Sequence, residues 1–269
     1  KPDASEWQRR SFWKRANGYE SVTLYDQTSF YSVQINVGSP SQEVSVMLDT
    51  GSSDLYVVEP SNPYCDADAG ESSSSSNPTG TSTSSSSSSI ATVDCAEYGT
   101  FDPSKSSSFT KNDSLFSIVY GDYDFASGYW GVDNVGLGNM TVKNVNFAIA
   151  NKSNASFGTF GVGLPKEEST YNGGHGSYTY DNFPVLLKQQ GFVKKTAYSL
   201  LIENSDAEKG TVLFGAVDHN RYSGQLYTLP LINPDYTGRT ATEFYVTVQG
   251  IAVEDGNNTE TLTTVSYTH

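Results

Sequence analysis

The sequence predicts a mostly β protein, and three observations support this fold class. Apolar and polar residues alternate in several runs, as in residues 30–38, where apolar side chains occupy every second position from Tyr31 to Val37. Glycine, asparagine and aspartate separate these runs, as is typical of turns between strands. Only 17% of the residues are charged, with 24 glycines and 18 tyrosines, which favours a β-rich extracellular protein over a helical cytosolic one.

The predicted strands follow one another along most of the chain. Residues 30–38 and 43–51 form the first two, and each ends at a glycine turn. Further runs are rich in β-branched and aromatic residues. They predict strands in residues 114–123, 142–150, 210–217 and 243–253.

Helical signals are few, and the clearest lies in residues 181–191. Asp181 or Asn182 can cap its first turn, and Pro184 suits that turn. Gly191 can end the helix. We therefore expect a β protein with short helices.

A serine-rich tract interrupts the strands at residues 71–89, with 12 serines and no apolar side chain. It cannot bury enough surface to offset the entropy cost of ordering it, so we expect a disordered loop. Cys65 and Cys95, which are the two cysteines, bracket the tract. The even cysteine count favours a Cys65–Cys95 disulfide at the base of an insertion within one domain.

Charge and composition restrict the partners. The net charge is −14, and the first 15 residues hold five of the 16 bases but two of the 30 acids, so the rest of the chain is more acidic still. We expect no nucleic-acid partner, whereas a basic peptide substrate fits this charge; acidity for solubility alone is the alternative. The chain has three histidines and no CxxC pair, so we expect no metal or other cofactor.

Five Asn-x-Ser/Thr sequons favour the secretory pathway, with an extracellular or cell-surface destination. They begin at Asn112, Asn139, Asn151, Asn154 and Asn257. No run of 18 apolar residues and no signal peptide is present in the sequence, so we expect no spanning segment here.

Residues 1–15 form a polar segment that ends in the dibasic pair Lys14-Arg15. We interpret it as the remnant of a pro-segment that is cut after Arg15, and its bases match an acidic cleft. A simple basic tail is the alternative.

The stretch from Val46 to Ser53, VMLDTGSS, carries the clearest chemistry. An apolar run brings Asp49 into a Thr-Gly turn that is crowded with hydroxyl groups. Burial favours the protonated carboxyl, whereas hydroxyl and N–H donors favour the anion. A carboxylate between these two influences is suited to proton transfer.

Together with other segments, this stretch resembles the pepsin-like aspartic proteases, and most of all the fungal yapsins. Residues 46–57 resemble the active-site loop of the N-terminal lobe, and residues 118–131 resemble the flap hairpin. Three more segments match in order, at residues 101–109, 160–165 and 210–231. The resemblance implies a bilobal fold with a complete N-terminal lobe at residues 16–195. Residues 196–269 would be the crossover and the start of a truncated C-terminal lobe.

The resemblance also implies roles for single residues. Asp49 matches the catalytic aspartate of the N-terminal lobe. Thr50, Gly51 and Ser52 match its supporting turn, in which the Ser52 hydroxyl bonds the outer carboxylate oxygen. Tyr56 matches a supporting aromatic position.

The flap residues implied by the resemblance are Tyr120, Gly121, Asp122 and Asp124. Tyr120 matches the tyrosine that closes over substrate. Asp122, with Asp124 as a second candidate, would attract a lysine or arginine next to the scissile bond. A turn-forming aspartate is the alternative for Asp122.

The family's reaction needs two aspartates that share a proton and activate a water, and no second Asp-Ser/Thr-Gly occurs in the 269 residues. We expect this chain alone to be inactive. The rest of the lobe, a partner lying outside this chain, would supply the second aspartate. The alternatives are a truncated inactive form, a homodimer pairing two Asp49 residues, and an inactive pepsin-like binding or surface protein.

Overall fold

The computed structural model describes residues 18–65, 92–121, 123–172, 178–202, 207–233, 241–248, 250–255 and 258–264. The predicted pro-segment, the serine-rich tract, Asp122 and Asn257 lie outside these residues.

Strands are the main regular structure of the described residues, as the sequence predicts. The strands are β1 (Glu20–Asp26), β2 (Tyr31–Val37), β3 (Gln42–Asp49), β4 (Leu55–Val58), β5 (Thr110–Val119), β6 (Phe125–Leu137), β7 (Met140–Ser153), β8 (Gly158–Gly161), β9 (Tyr198–Leu201), β10 (Lys209–Phe214), β11 (Gly250–Asp255) and β12 (Asn258–Thr264). The helices are α1 (Ser169–Asn172) and α2 (Phe183–Gln189), with 3-10 turns at Pro103–Lys105 and Pro165–Glu167.

Ten of these strands form one sheet, in the order β5-β6-β7-β4-β8-β3-β2-β1-β10-β9, and β11 pairs with β12 separately. Strand β6 also pairs with β2, so the sheet folds back on itself around an apolar core. The alternation predicted for β2 is seen in that core, where Val33, Ile35 and Val37 are buried and Gln34 is exposed. Burial of such apolar faces is the main stabilising contribution to a sheet of this kind.

A second apolar cluster lies on the other side of the central strands, and we call it the aromatic cluster. Its members are Tyr56, Phe116, Ala126, Trp130, Ala148 and Ala150, with Ile118, Tyr120 and Tyr180 packed against them. Ring contacts at 5.4–5.6 Å link Tyr56 to Phe116, Phe116 to Trp130 and Trp130 to Tyr180. This cluster supports the β5–β6 hairpin.

The predicted helix is confirmed as α2. Asn182 takes the capping position, although its side chain makes no capping bond, and proline lies in the first turn. Gly191 ends the segment with φ of +78°, a backbone conformation that glycine adopts readily.

The strand predicted for residues 243–253 is only partly correct, because the strand covers Gly250–Asp255. Upstream, the carbonyl of Tyr245 accepts a backbone hydrogen bond from Ile232. A run of alternating apolar residues forms a strand only where a neighbouring strand hydrogen-bonds along it. Within the part of the chain that the structure describes, residues 243–248 belong to no named strand.

Strand β10 lies beside β1, with residues paired from Glu20 and Phe214 to Tyr25 and Lys209. Strand β9 then pairs with β10 and forms the edge of the sheet. The start of the segment predicted as crossover is therefore joined by backbone hydrogen bonds to the first described strand.

Candidate active site

Asp49 is the last residue of β3, and neighbouring strands fix its backbone. It pairs with Gly161 in the parallel β3–β8 ladder, and its carbonyl accepts a hydrogen bond of 2.9 Å from the Val162 N–H. The side chain is partly buried. The apolar β3 therefore delivers one carboxylate to the end of a central strand.

Both oxygens of the Asp49 carboxylate accept hydrogen bonds from its own turn. The backbone N–H of Gly51 lies 2.8 Å from Oδ1, and the Ser52 hydroxyl lies 2.6 Å from Oδ2. The structure thus contains the Ser52 contact that the sequence resemblance implies. Such donors orient a carboxylate and stabilise its charged form.

The turn is anchored to the segment that follows β8. Gly163 N–H donates to the Ser52 carbonyl at 2.8 Å, and the Ser53 hydroxyl donates to the Leu164 carbonyl at 2.7 Å. A Cβ at Gly163 would lie 2.6 Å from Glu167 Oε2 and 2.8 Å from the Ser52 carbonyl. Glycine permits this close approach, which holds the Asp49 turn in place.

Tyr120 and Tyr56 lie beside Asp49. Tyr120 follows β5 in the hairpin, and its N–H donates to the Asp124 carbonyl at 2.7 Å. Burial raises the pKa of Tyr56 to about 12, and the neighbouring hydroxyls of Thr159 and Tyr120 lower it in part. Burial and the neighbouring Tyr56 raise the pKa of Tyr120 well above its ordinary value. Asp49 contributes to both shifts, so the two phenols stay protonated beside the carboxylate.

Asp54 was not among the predicted site residues, and it is a buried carboxyl at the end of the active-site turn. Its Oδ1 accepts a hydrogen bond of 2.7 Å from the Tyr180 hydroxyl, and its Oδ2 accepts one of 2.8 Å from the Ser169 N–H. Burial raises its pKa despite these donors. The side chain therefore anchors the turn to the segment around α1.

Glu167 is a second carboxyl that sequence reasoning missed. Burial and then the negative charges of Glu243, Asp49 and Asp54 raise its pKa to about 8. Nothing in its local sequence indicates this proximity, because the 3-10 turn at Pro165–Glu167 brings it back towards the Asp49 turn.

Thr50 is exposed at the tip of the turn and lines a largely apolar cavity of about 510 Å³. Val162, Leu164, Tyr198 and Phe244 also line this cavity. The face of the molecule beside Asp49 is therefore concave and apolar.

The remaining predicted residues are distributed as follows. The Cys65–Cys95 disulfide is confirmed, with an S–S distance of 1.97 Å.

Asp122 lies outside the described residues, whereas Gly121 and Asp124 lie in the hairpin turn. Of the described sequons, Asn112 and Asn139 are exposed and Asn151 and Asn154 are partly buried; the Asn154 side-chain oxygen accepts a hydrogen bond from the Phe125 N–H.

Within the part of the chain that the structure describes, no group of three or more His, Cys, Asp or Glu side chains is arranged to hold a metal ion. In the same residues, no helix is long and apolar enough to cross a membrane.

Comparison with protein families places this geometry in context. Residues 30–266 match the model of the family described as Eukaryotic aspartyl protease. The chain therefore belongs to the eukaryotic aspartyl protease family.

Curated relatives include two proteins of Saccharomyces cerevisiae. Aspartic proteinase MKC7 is 42% identical over 97% of this chain and 50% of its own length. Aspartic proteinase yapsin-3 is 41% identical over 93% of this chain and 46% of its own length. The chain thus spans about half the length of these relatives.

Among solved structures, the aspartic proteinase from Irpex lacteus matches with a TM-score of 0.59 at 22% identity. The match covers 81% of this chain and 54% of that one. This likeness confirms the pepsin-like fold expected from the sequence.

Proposed function

We propose that this chain is the N-terminal part of a secreted or cell-surface aspartic endopeptidase. Asp49 and a second aspartate share one proton and hold a water between them. One carboxylate removes a proton from the water, and the other, protonated, polarises the carbonyl of the scissile peptide bond. The water oxygen then bonds to the carbonyl carbon, and the C–N bond breaks as the nitrogen is protonated.

One observation carries this proposal: the Asp49 carboxylate is fixed at both oxygens and lies beside the phenols of Tyr56 and Tyr120. A general base must be oriented towards its water, and the Gly51 and Ser52 donors supply that orientation. Tyr120, in the role of flap tyrosine, would cover the substrate from the hairpin side.

The second aspartate, in this proposal, lies beyond residue 269 in the rest of a C-terminal lobe. The segment from residue 226 to residue 253 supports such a partner, because large apolar side chains there are well exposed. These are Leu226, Tyr227, Leu229, Leu231, Phe244, Ile251 and Val253. Exposed apolar groups of this density mark an interface, and the cavity beside Thr50 opens on the same catalytic side.

The proposed substrates are polypeptides with lysine or arginine at the cleaved bond. Asp124 in the hairpin turn, together with Asp122, would attract such a cation, and the net charge of −14 draws basic peptides to the protein. The disulfide and the exposed sequons support a route through the secretory pathway.

The test uses the full-length protein and a peptide with one Lys-Arg pair at mildly acid pH. We expect cleavage, inhibition by a statine-type peptide and loss of cleavage in Asp49→Asn. An uncleaved peptide, or cleavage that survives Asp49→Asn, contradicts the proposal and favours an inactive pepsin-like binding protein.

Two further measurements test the second aspartate and the preference for basic residues. The coding sequence should contain an Asp-Ser/Thr-Gly within a few tens of codons after the codon for His269, and its absence there contradicts the two-aspartate reaction. A matched peptide with norleucine in place of the cleaved lysine or arginine should be a poor substrate for the wild type. Asp122→Asn and Asp124→Asn should reduce the ratio of kcat/KM between the basic peptide and the norleucine peptide. If neither variant reduces it, the basic specificity has another origin.

A further inference from the structure

Strand register places Thr159 on the same side of the sheet as the catalytic aspartate. Thr159, in β8, pairs with Met47 in the parallel ladder and with Tyr56 in the antiparallel ladder. Directly paired residues of neighbouring strands point to the same face, and Met47 and Asp49 share a face because they are two residues apart. Thr159 therefore faces the catalytic side between Asp49 and Tyr56.

The hydroxyl of Thr159 is fully buried. The residue is 0% exposed, and among the described residues its Oγ1 has no hydrogen-bond partner in normal geometry. A buried hydroxyl without a partner is unfavourable and uncommon in folded proteins. The Thr159 hydroxyl is therefore available to form a hydrogen bond with a neighbouring group that moves towards it.

Two phenols lie next to this hydroxyl. Tyr56 is directly paired with Thr159 in the antiparallel ladder, and Tyr120 packs against the aromatic cluster that contains Tyr56. The Thr159 hydroxyl influences the pKa of both phenols. Each hydroxyl can donate one hydrogen bond and accept others, so the three groups can form one chain. Catalytic hydrogen bonds are often long in empty enzymes and shorten in the complex with substrate.

We propose that Thr159 is a positioning residue, whose hydroxyl hydrogen-bonds to the Tyr120 phenol when a peptide occupies the cleft. The bond fixes the phenol beside Asp49 and completes the chain of Thr159, Tyr56 and Tyr120. This inference rests on the proposed peptidase function and adds a residue that acts through Tyr120.

The test compares Thr159→Val, which keeps the shape and removes the hydroxyl, with Thr159→Ser, which keeps the hydroxyl. Thr159→Val should lower kcat/KM about tenfold and weaken binding of a statine-type peptide by a similar factor, as expected for one hydrogen bond. Thr159→Ser should stay within about threefold of the wild type. Without inhibitor, the Tm of Thr159→Val should be equal to or above that of the wild type, because no partner is lost.

A double-mutant cycle isolates the partner. In a Tyr120→Phe background, Thr159→Val should have less than about a twofold further effect. An unchanged kcat/KM in Thr159→Val, or a loss that adds in full to that of Tyr120→Phe, overturns the inference.

Other outcomes are equally decisive. A lowered Tm accompanied by unchanged statine binding assigns Thr159 a structural role and overturns the inference. If Thr159→Val does not fold, Thr159→Ala carries the same test with the same expected loss. A wild type that neither cleaves peptide nor binds the inhibitor overturns the proposed function and this inference with it, whereas an active wild type with an unaffected Thr159→Val overturns the inference alone.

Discussion

The Tyr180 hydroxyl donates a hydrogen bond of 2.7 Å to the carboxylate of Asp54, which is only 3% exposed. The backbone N–H of the same tyrosine donates to Glu168 Oε2 at 2.8 Å, and Glu168 is also fully buried. One tyrosine therefore joins two buried carboxyls through its two donors. This arrangement ties the end of the active-site turn to the chain between α1 and α2.

Tyr180→Phe should lower the free energy of unfolding by about 1–3 kcal/mol, because it removes a donor from a buried carboxyl and leaves that oxygen unsatisfied. Chemical denaturation at fixed pH measures the change. Tyr178→Phe is the matched control, since Tyr178 is 47% exposed, and it should have little effect. Equal stability of the two variants contradicts the role assigned to the Tyr180 hydroxyl.

The stability of the fold should fall between about pH 4.5 and pH 8. Burial raises the pKa of Glu168 from 4.5 to about 8, and it raises the pKa of Asp54 in the same direction. The folded protein thus binds these protons more tightly than the unfolded chain. Their contribution is complete below about pH 4.5 and is lost as the pH rises through 8.

Denaturation at a series of pH values tests this expectation. Glu168→Gln cannot ionise and should flatten the pH dependence, whereas Glu43→Gln, at an exposed position of β3, should leave it unchanged. A wild type whose stability rises from pH 4.5 to 8 would show that other groups dominate.

Ser52→Ala should lower kcat/KM of the full-length enzyme by about 10- to 100-fold. Its hydroxyl donates at 2.6 Å to Asp49 Oδ2, and hydrogen bonds to charged groups are among the stronger ones. Ser61→Ala is a matched control, because the Ser61 hydroxyl also donates to a carboxylate, that of Glu59, at an exposed site. If Ser52→Ala and Ser61→Ala lower kcat/KM by comparable factors, the Ser52 hydrogen bond has no specific role in the reaction.

Replacement of both cysteines by alanine should lower the free energy of unfolding by about 3–4 kcal/mol, the loop-entropy value for a bridge spanning 30 residues. Denaturation of the variant, and of the wild type with reductant, measures the loss. Asn62 should limit structural change in the variant, because its side-chain amide bonds the Ser153 carbonyl at 2.9 Å. Identical curves with and without reductant would contradict the prediction.

The sequence was sufficient for the fold class and for the central turn. Apolar residues occupy every second position from Tyr31 to Val37, and this local signal is found again in strand β2. In β3, Val44 and Val46 are the buried residues. The Gly51 and Ser52 contacts to Asp49 are also local, because they span two or three residues. Patterns and contacts over so few residues depend only on the local sequence, so they can be predicted from it.

The missed residues depend on contacts between distant parts of the chain. Asp54 meets Tyr180 across 126 positions, and no local pattern marks either residue as a buried partner. The position of Thr159 beside Tyr56 follows from strand register, which no local pattern marks. The strand predicted at 243–253 begins only at Gly250 for a related reason, since pairing requires a neighbour that periodicity does not supply.

The pairing of β1 with β10 also bears on biosynthesis. Glu20 lies opposite Phe214, so β1 emerges from the ribosome long before its partner is made. At typical synthesis rates, the delay is roughly ten to forty seconds. During that interval one edge of β1 has unpaired N–H and C=O groups, which are prone to wrong pairing. Strand β1 of the nascent chain therefore stays open to wrong pairing until residues 209–214 have left the ribosome.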